Sequence, residues 1–242
     1  MKYKDYIRNI HINWMRWHAF HLPELKFQTS KVIIIAPHPD DETLGLGGMI
    51  QRLSQLGFPP YVIILSKGER SHQDCCNLSL ENIKNKRIEL ATTALEHLSL
   101  PEDHLFFLDF PDSAIDATDK EMISLQRLIN RLSPEMIFIP HRQEGWPDHV
   151  KTAEAITKII RDKVDIYEYI VWAWYYNVWR FNWRNALILR MSPEEHKTKS
   201  EAIDIYTQAL APCGKPWSGV LPKLLIKACT WNCELFFRIQ KH

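Results

Sequence analysis

Short apolar runs alternate with segments of helical periodicity along this chain, and this alternation limits the possible folds more than any other feature. The first run, VIIIA at residues 32–36, is typical of a strand that is buried on both faces of a sheet. Further predicted strands lie at residues 61–65, 104–110, 135–139 and 166–176. Predicted helices lie at about residues 43–56, 79–98, 119–132, 150–161, 193–210 and 220–239. Such alternation predicts an α/β fold, Rossmann-like, with a mainly parallel sheet and helices on both faces.

Residues 1–30 are predicted to form a helical extension before a single domain at residues 31–242. Packing against the domain is the favoured role of this helix, and contact with a membrane surface is the alternative. Its predicted apolar face consists of Ile7, Ile10, Trp14 and Trp17. No apolar run reaches the roughly 18 to 20 residues that span a bilayer. The N-terminus also lacks the pattern of a signal peptide, so we expect a cytoplasmic protein without a transmembrane segment.

The charge balance excludes one broad class of partner. The net charge is +1, and charged residues make up 24% of the chain. Because surfaces that bind nucleic acids carry a marked basic excess, we expect no nucleic-acid partner. The five cysteines form no CxxC pair, and an odd number without a secretory context indicates reduced thiols.

The loop after the first predicted strand contains His38, Asp40, Asp41 and Glu42. In open α/β sheets the functional groups collect at the carboxyl ends of the strands, where this loop lies. One explanation is structural, with an aspartate capping the next helix. A second is dinucleotide binding, because the glycine-rich LGLGG follows. That fingerprint fails in detail, since its third glycine position is Ile50 and the acids would repel a pyrophosphate.

A divalent metal is the third and favoured explanation of this loop. An imidazole and a carboxylate separated by two intervening residues can reach one ion from a tight turn, and zinc accepts nitrogen and oxygen ligands. A catalytic zinc needs three protein ligands and one open position. His149 in the segment GWPDHV follows the fourth predicted strand, at the same edge of the sheet, and supplies the missing ligand.

These motifs resemble the PIG-L/LmbE-like zinc-dependent deacetylases, which remove acetyl groups from N-acetylglucosamine-type substrates. The HPDDE motif at residues 38–42 and the later PDH motif at residues 147–149 carry the resemblance. Weaker motifs occur in the family's order at residues 67–69, 86–90, 108–112, 140–149 and 197–208. The resemblance implies a metal-dependent amidohydrolase that releases acetate from an N-acetylated sugar or glycoconjugate, and a homo-oligomer.

The resemblance also implies roles for single residues. One Zn²⁺ per chain would be bound by His38, Asp41 and His149. Asp40 would be the general base, and Glu42 would orient the ligands without binding the metal. The substrate-binding residues that the motif positions imply are Arg87 and Asp112.

One position departs from the family pattern. Where the family commonly has HPDH, this chain has Trp146 in place of the first histidine, which serves there as an oxyanion stabiliser or acid. We expect Trp146 to stack on the sugar. His141, also at the strand end, is expected to be a catalytic substitute, and the alternative for it is a loop imidazole bonded to the backbone. Removing one oxyanion donor can reduce a rate by about 10²–10³-fold. The alternative function is therefore a catalytically weak or inactive zinc-containing protein that binds or senses glycans.

Overall fold

The computed structural model describes residues 3–27, 31–72, 77–116, 120–160, 163–176 and 178–240. Among them, seven strands form one sheet: β1 (Val32–Ala36), β2 (Tyr61–Ser66), β3 (Leu105–Phe110), β4 (Met136–Pro140), β5 (Asp165–Tyr169), β6 (Ala186–Arg190) and β7 (Cys233–Arg238). The helices are α1 (Tyr3–Ala19), α2 (Asp41–Gln55), α3 (Leu80–His97), α4 (Glu121–Leu132), α5 (Pro147–Ile159), α6 (Pro193–Gln208) and α7 (Lys223–Cys229).

The strand order is β3-β2-β1-β4-β5-β7-β6, and the first five of these strands are parallel. Strand β7 is antiparallel to both of its neighbours. The predicted mainly parallel α/β sheet is therefore confirmed. Strand β1 lies between β2 and β4 and is fully buried, which explains its continuous β-branched sequence.

Helices cover both faces of the sheet, as predicted. On one face, residues of α1, α2, α3, α6 and α7 join one large apolar core. On the other face, α4 and α5 close a second core over the same strands. Because β1 and β4 are buried between these two layers, the loops at their carboxyl ends are held in fixed positions.

Helix α1 packs against the domain with a face that overlaps the predicted one at Trp14, which is partly buried against the main core. Its buried residues are His11, Ile12, Met15 and Ala19. Ile10 and Trp17, which were expected to pack inward, are 43% and 68% exposed. The polar ring of His11 is accommodated inside because both of its nitrogens contact backbone carbonyls, those of Trp174 and Val178.

Two predicted elements at the C-terminal side are correct only in part. The strand predicted at residues 166–176 ends at Tyr169, because the next backbone N–H groups turn away to bond a buried carboxylate. The helix predicted at residues 220–239 is only α7, followed by a turn and strand β7. Strand β6 was not predicted. It pairs with β7 at the edge of the sheet, a long-range contact that local periodicity does not reveal.

Two smaller expectations concern membranes and thiols. No helix of the described residues is both long and apolar enough to cross a membrane. Cys229 and Cys233 carry free thiols, as expected. Cys75 and Cys76 lie outside the described residues.

Candidate metal centre and active site

Two loops meet at the carboxyl edge of the sheet, one after β1 and one after β4. They meet because β1 and β4 are parallel neighbours. The first loop carries His38 and Asp40 and leads directly into α2, whose first residue is Asp41. The second leads into α5, where His149 is the third residue. Residues 108 or more positions apart in sequence are thus placed side by side.

Three of these side chains form a compact donor set. Asp41 Oδ2 lies 3.2 Å from His38 Nδ1 and 3.1 Å from His149 Nε2. All three donor atoms lie within 4.8 Å of one another. Zinc–ligand distances of about 2.0–2.1 Å in a tetrahedron place neighbouring ligands about 3.3 Å apart, so the spacing suits this ion. Both ring nitrogens of His149 are buried and make no well-aligned hydrogen bond with a described residue. The chain's own residues therefore fit a divalent metal here.

A second donor set uses the other nitrogen of His38. His38 Nε2 lies 2.9 Å from Asp148 Oδ2 and 3.4 Å from Asp112 Oδ1. Asp148 also accepts hydrogen bonds from the backbone N–H groups of Ser113 and Ile115. The Asp148 carboxylate thus already holds the loop that contains Ser113 and Ile115. A carboxylate next to a metal-bound histidine commonly orients the imidazole ring, and this is the role that suits Asp148. Sequence reasoning missed Asp148, although it lies within the PDH motif.

The charges at this centre influence one another strongly. Burial alone would lower the pKa of His149, but the carboxylates of Asp41 and Glu144 outweigh it and raise that pKa to about 9. For Asp41, burial alone would raise the pKa, and contact with the two imidazoles brings it below its ordinary value. The carboxylates around His38 likewise raise its pKa well above normal. Two imidazoles thus hold protons that a cation would displace.

Asp40 is the acid of this loop that lies outside the donor set. Its backbone has φ 122°, a strained conformation for a residue other than glycine. Arg87 stabilises this turn, donating to the carbonyl of Pro39 and to Asp40 Oδ2, the latter at 3.3 Å. Burial raises the pKa of Asp40 well above its usual value, and Arg87 only partly opposes this. A carboxylate of raised pKa next to a metal site is suited to accept a proton at neutral pH.

Glu42 holds the same turn from the opposite side. Glu42 Oε2 accepts a hydrogen bond from the Asp40 backbone N–H at 3.0 Å. Its other oxygen accepts from the hydroxyls of Tyr206, at 2.6 Å, and Thr43. The side chain of Asp40 caps no helix, so the purely structural explanation of the acidic loop finds no support at this residue.

Glu144 is a buried carboxylate that sequence reasoning missed. It accepts hydrogen bonds from the backbone N–H groups of Val171, Trp172 and Ala173, at 2.5–3.2 Å. The same carboxylate lies 3.3 Å from Nδ1 of His149. It therefore joins a histidine of the donor set to the segment after β5. No local pattern marks Glu144, because its hydrogen-bond donors lie 27 to 29 residues away.

The donor set opens into a cavity of about 290 Å³, near the lower end of the range for small-molecule sites. Asp40, Arg87, Asp112 and Trp146, four of the predicted site residues, line this cavity with His38 and Asp41. The indole of Trp146 stacks on that of Trp172, with ring centroids 5.0 Å apart and planes 17° apart. An aromatic wall of this kind suits the C–H face of a sugar ring.

His141, the expected catalytic substitute, does not line this cavity. It lines a separate cavity with Glu168 and Arg180. Its ring packs against Phe181 and Phe237, and its Nδ1 accepts a hydrogen bond from the Gln143 N–H. Burial lowers the pKa of His141 to about 3, with a further contribution from the charge of Arg142. The residue therefore has the environment of a buried structural histidine.

Solved structures of known proteins share this fold. An N,N'-diacetylchitobiose deacetylase from Pyrococcus horikoshii superposes with a TM-score of 0.62 at 18% identity, over 85% of this chain and 79% of that chain. The hydratase GalB from Pseudomonas putida also gives 0.62 at 18% identity, over 82% of each chain. At this level of identity the likeness concerns the fold alone.

Sequence comparisons are more specific. A diacetylchitobiose deacetylase from Thermococcus kodakarensis is 30% identical over 122 residues, 49% of this chain and 45% of that protein. A 1D-myo-inositol 2-acetamido-2-deoxy-alpha-D-glucopyranoside deacetylase from Corynebacterium diphtheriae is 25% identical over 165 residues, 59% of this chain and 56% of that protein. The chain thus spans about half the length of these relatives. The family model PIG-L, GlcNAc-PI de-N-acetylase, matches residues 33–160. Because that match covers more than half of the 242 residues, the chain belongs to the PIG-L family.

Proposed function

We propose that this protein is a zinc-dependent hydrolase that removes the N-acetyl group from an N-acetylglucosamine-type sugar or sugar conjugate and releases acetate. The observation that carries the proposal is the donor set of His38, Asp41 and His149 beside a second carboxylate, Asp40, at the base of a sugar-sized cavity. The names of the relatives support the same chemistry, since both are deacetylases of N-acetylated sugars.

The three donor side chains would hold one zinc ion. When bound there, zinc lowers the pKa of its water and polarises the acetyl carbonyl. Asp40 would take the proton of the attacking water and deliver it to the departing amine nitrogen. Arg87 would keep the Asp40 carboxylate aimed at the cavity, through its contacts with Asp40 and with the carbonyl of Pro39. We thus assign Arg87 to the support of Asp40 in place of direct substrate contact.

Trp146 and Asp112 would contact the sugar. Trp146, held by its stack on Trp172, offers a flat apolar surface to one face of the ring. Asp112 would accept hydrogen bonds from sugar hydroxyls. It stays ionised, because His38 outweighs the effect of burial and lowers the pKa of Asp112 to about 2.

The test is an acetate-release assay on a panel of N-acetylglucosamine conjugates that includes N,N'-diacetylchitobiose. The zinc-loaded wild type should release acetate, and Asp40→Asn should lose turnover by at least about 10²-fold while retaining its zinc. Asp109→Asn is a matched control, because Asp109 is an exposed carboxylate that pairs with Lys67. Full activity of the Asp40→Asn variant would remove Asp40 from its role.

The departure at Trp146 motivates one other candidate, a zinc-containing glycan-binding protein of little or no activity. Sugar binding without acetate release by the zinc-loaded wild type would favour that alternative. Membership of the PIG-L family favours the hydrolase. Asp40 favours it too, because this buried carboxylate is not part of the donor set and a binding protein has no need of a carboxylate with raised pKa. Replacement of Trp146 by histidine would restore the family motif and should raise a low turnover.

A further inference from the structure

Helix α1 buries one face in the domain and leaves the opposite face without a protein partner among the described residues. The side chains on that outer face recur at helical spacing, and those of Tyr3, Tyr6, Ile10 and Trp17 are 78%, 53%, 43% and 68% exposed. Phe20, directly after the helix, extends the row at 69% exposure. We call this row of five residues the outer aromatic face.

The outer aromatic face carries no charge. The remaining exposed position along it is Asn13, which is also uncharged. A helix face in contact with water is normally polar and charged, and large exposed apolar patches mark interaction surfaces. The inner face is firmly attached, since Met15 and Ala19 are fully buried in the main core. The helix therefore presents this face as part of the folded protein.

Two exposed lysines beside α1 form no ion pair within the described ranges. Lys223 and Lys227 lie on α7, which packs against α1, and Arg16 of α1 donates a hydrogen bond to the carbonyl of Lys227. The acid of α1, Asp5, is paired with Arg8. An uncharged aromatic face with unpaired lysines on the neighbouring helix complements a surface that has an apolar interior and anionic headgroups.

The size of the face argues against a second protein copy as its occupant. Helix α1 has 17 residues, so its outer face is about 26 Å long and about 10 Å wide, or about 260 Å². A stable protein interface buries about 800 Å² on each partner. By contrast, one helix face is enough to bind a protein to the membrane interface when its tryptophan and tyrosine side chains lie at the depth of the headgroups.

We infer that α1 docks the protein on an anionic lipid surface, with Trp17 and Phe20 inserted among the headgroups and Lys223 and Lys227 contacting lipid phosphates. The helix lies in the plane of the membrane interface and does not cross it. Its inner face holds the segment that carries Trp172, through the contacts of His11 and Arg8 with that segment. Docking on lipid thus fixes the orientation of the domain that contains the cavity. This inference does not depend on the proposed reaction.

The test is co-sedimentation of the full chain with vesicles of phosphatidylcholine alone or mixed with phosphatidylglycerol. The wild type should bind the mixed vesicles, bind phosphatidylcholine vesicles more weakly, and be released in part by high salt. The double variant Trp17→Ser/Phe20→Ser should bind at least tenfold more weakly, because both side chains leave water on docking.

A matched control is Ile123→Ser, since Ile123 is a 55% exposed apolar residue on α4, on the other face of the sheet. This control should bind vesicles as the wild type does, and all variants should keep the wild-type melting temperature. The inference is overturned if the folded wild type stays in the supernatant, or if the double variant binds equally well. Light scattering that shows the double substitution converting a dimer to a monomer, without vesicle binding by either, would identify a second copy as the occupant and overturn it too.

Discussion

The carboxylate of Glu144 offers the sharpest test of how the metal centre is held. Glu144→Gln keeps the size of the side chain but removes its charge and places an amide NH₂ against backbone N–H donors. The carboxylate lies 3.3 Å from His149 Nδ1 and accepts three backbone hydrogen bonds. Loss of such a support for a metal-bound histidine weakens metal binding by about 10–100-fold, or about 1.4–2.8 kcal/mol. The uncompensated N–H groups should lower the stability of the apo protein by a further 1.5–3 kcal/mol or so.

Zinc affinity can be measured by competition with a chromophoric chelator, and stability by urea unfolding of the metal-free protein. Glu168→Gln is a matched control, because Glu168 is also buried and accepts a backbone hydrogen bond, from Arg142, but contacts no residue of the donor set. The control should lose stability and keep its zinc affinity. Equal zinc affinities of Glu144→Gln and wild type would refute the reasoning, as would an equal loss in the control.

Three further predictions concern other buried groups. Arg87→Met should reduce kcat by at least about tenfold with zinc retained, because the Asp40 carboxylate loses the hydrogen bond from Arg87 that orients it. An unchanged kcat in the acetate assay would contradict the role of Arg87 in orienting Asp40. The pKa of His141 is about 3 in the folded protein and about 6.5 in the unfolded chain, so the unfolded chain binds a proton first as the pH falls. The free energy of unfolding should therefore decrease by up to about 1.4 kcal/mol per pH unit between pH 6.5 and pH 3. His141→Asn should abolish this acid sensitivity in urea titrations, and parallel pH profiles would disprove the assignment. Lys199→Met should destabilise the fold by about 3–5 kcal/mol, since it leaves Glu234 charged and buried; a loss below about 1 kcal/mol in urea unfolding would argue against a buried ion pair.

The parallel core of the sheet and the position of the site were predictable from the sequence for a physical reason. A strand buried on both faces must be apolar throughout, so β1, β2 and β4 are visible as continuous runs. Parallel pairing then places the ends of β1 and β4 at one edge. The adjacency of the residue 38–41 loop and His149 follows from that rule together with the two motifs.

The predictions failed where distant residues decide local structure. The strand predicted through residue 176 stops at Tyr169, because Glu144 takes the N–H groups of residues 171–173 out of strand pairing. The apolar residues of β7 read equally well as helix or strand, and pairing with β6 decides between them. The orientation of His141 also depends on distant residues, since its ring packs against Phe181 and Phe237.

The central claim is that one zinc ion binds between the loops after β1 and β4 and leaves Asp40 free. Anomalous diffraction at the zinc edge, from crystals of the zinc-loaded protein, tests it most directly. We predict one strong peak within bonding distance of His38 Nδ1, Asp41 and His149 Nε2, with the Asp40 carboxylate facing the cavity and not bound to the ion. A peak on the side of Asp112 and Asp148, or no peak among these residues, would contradict it.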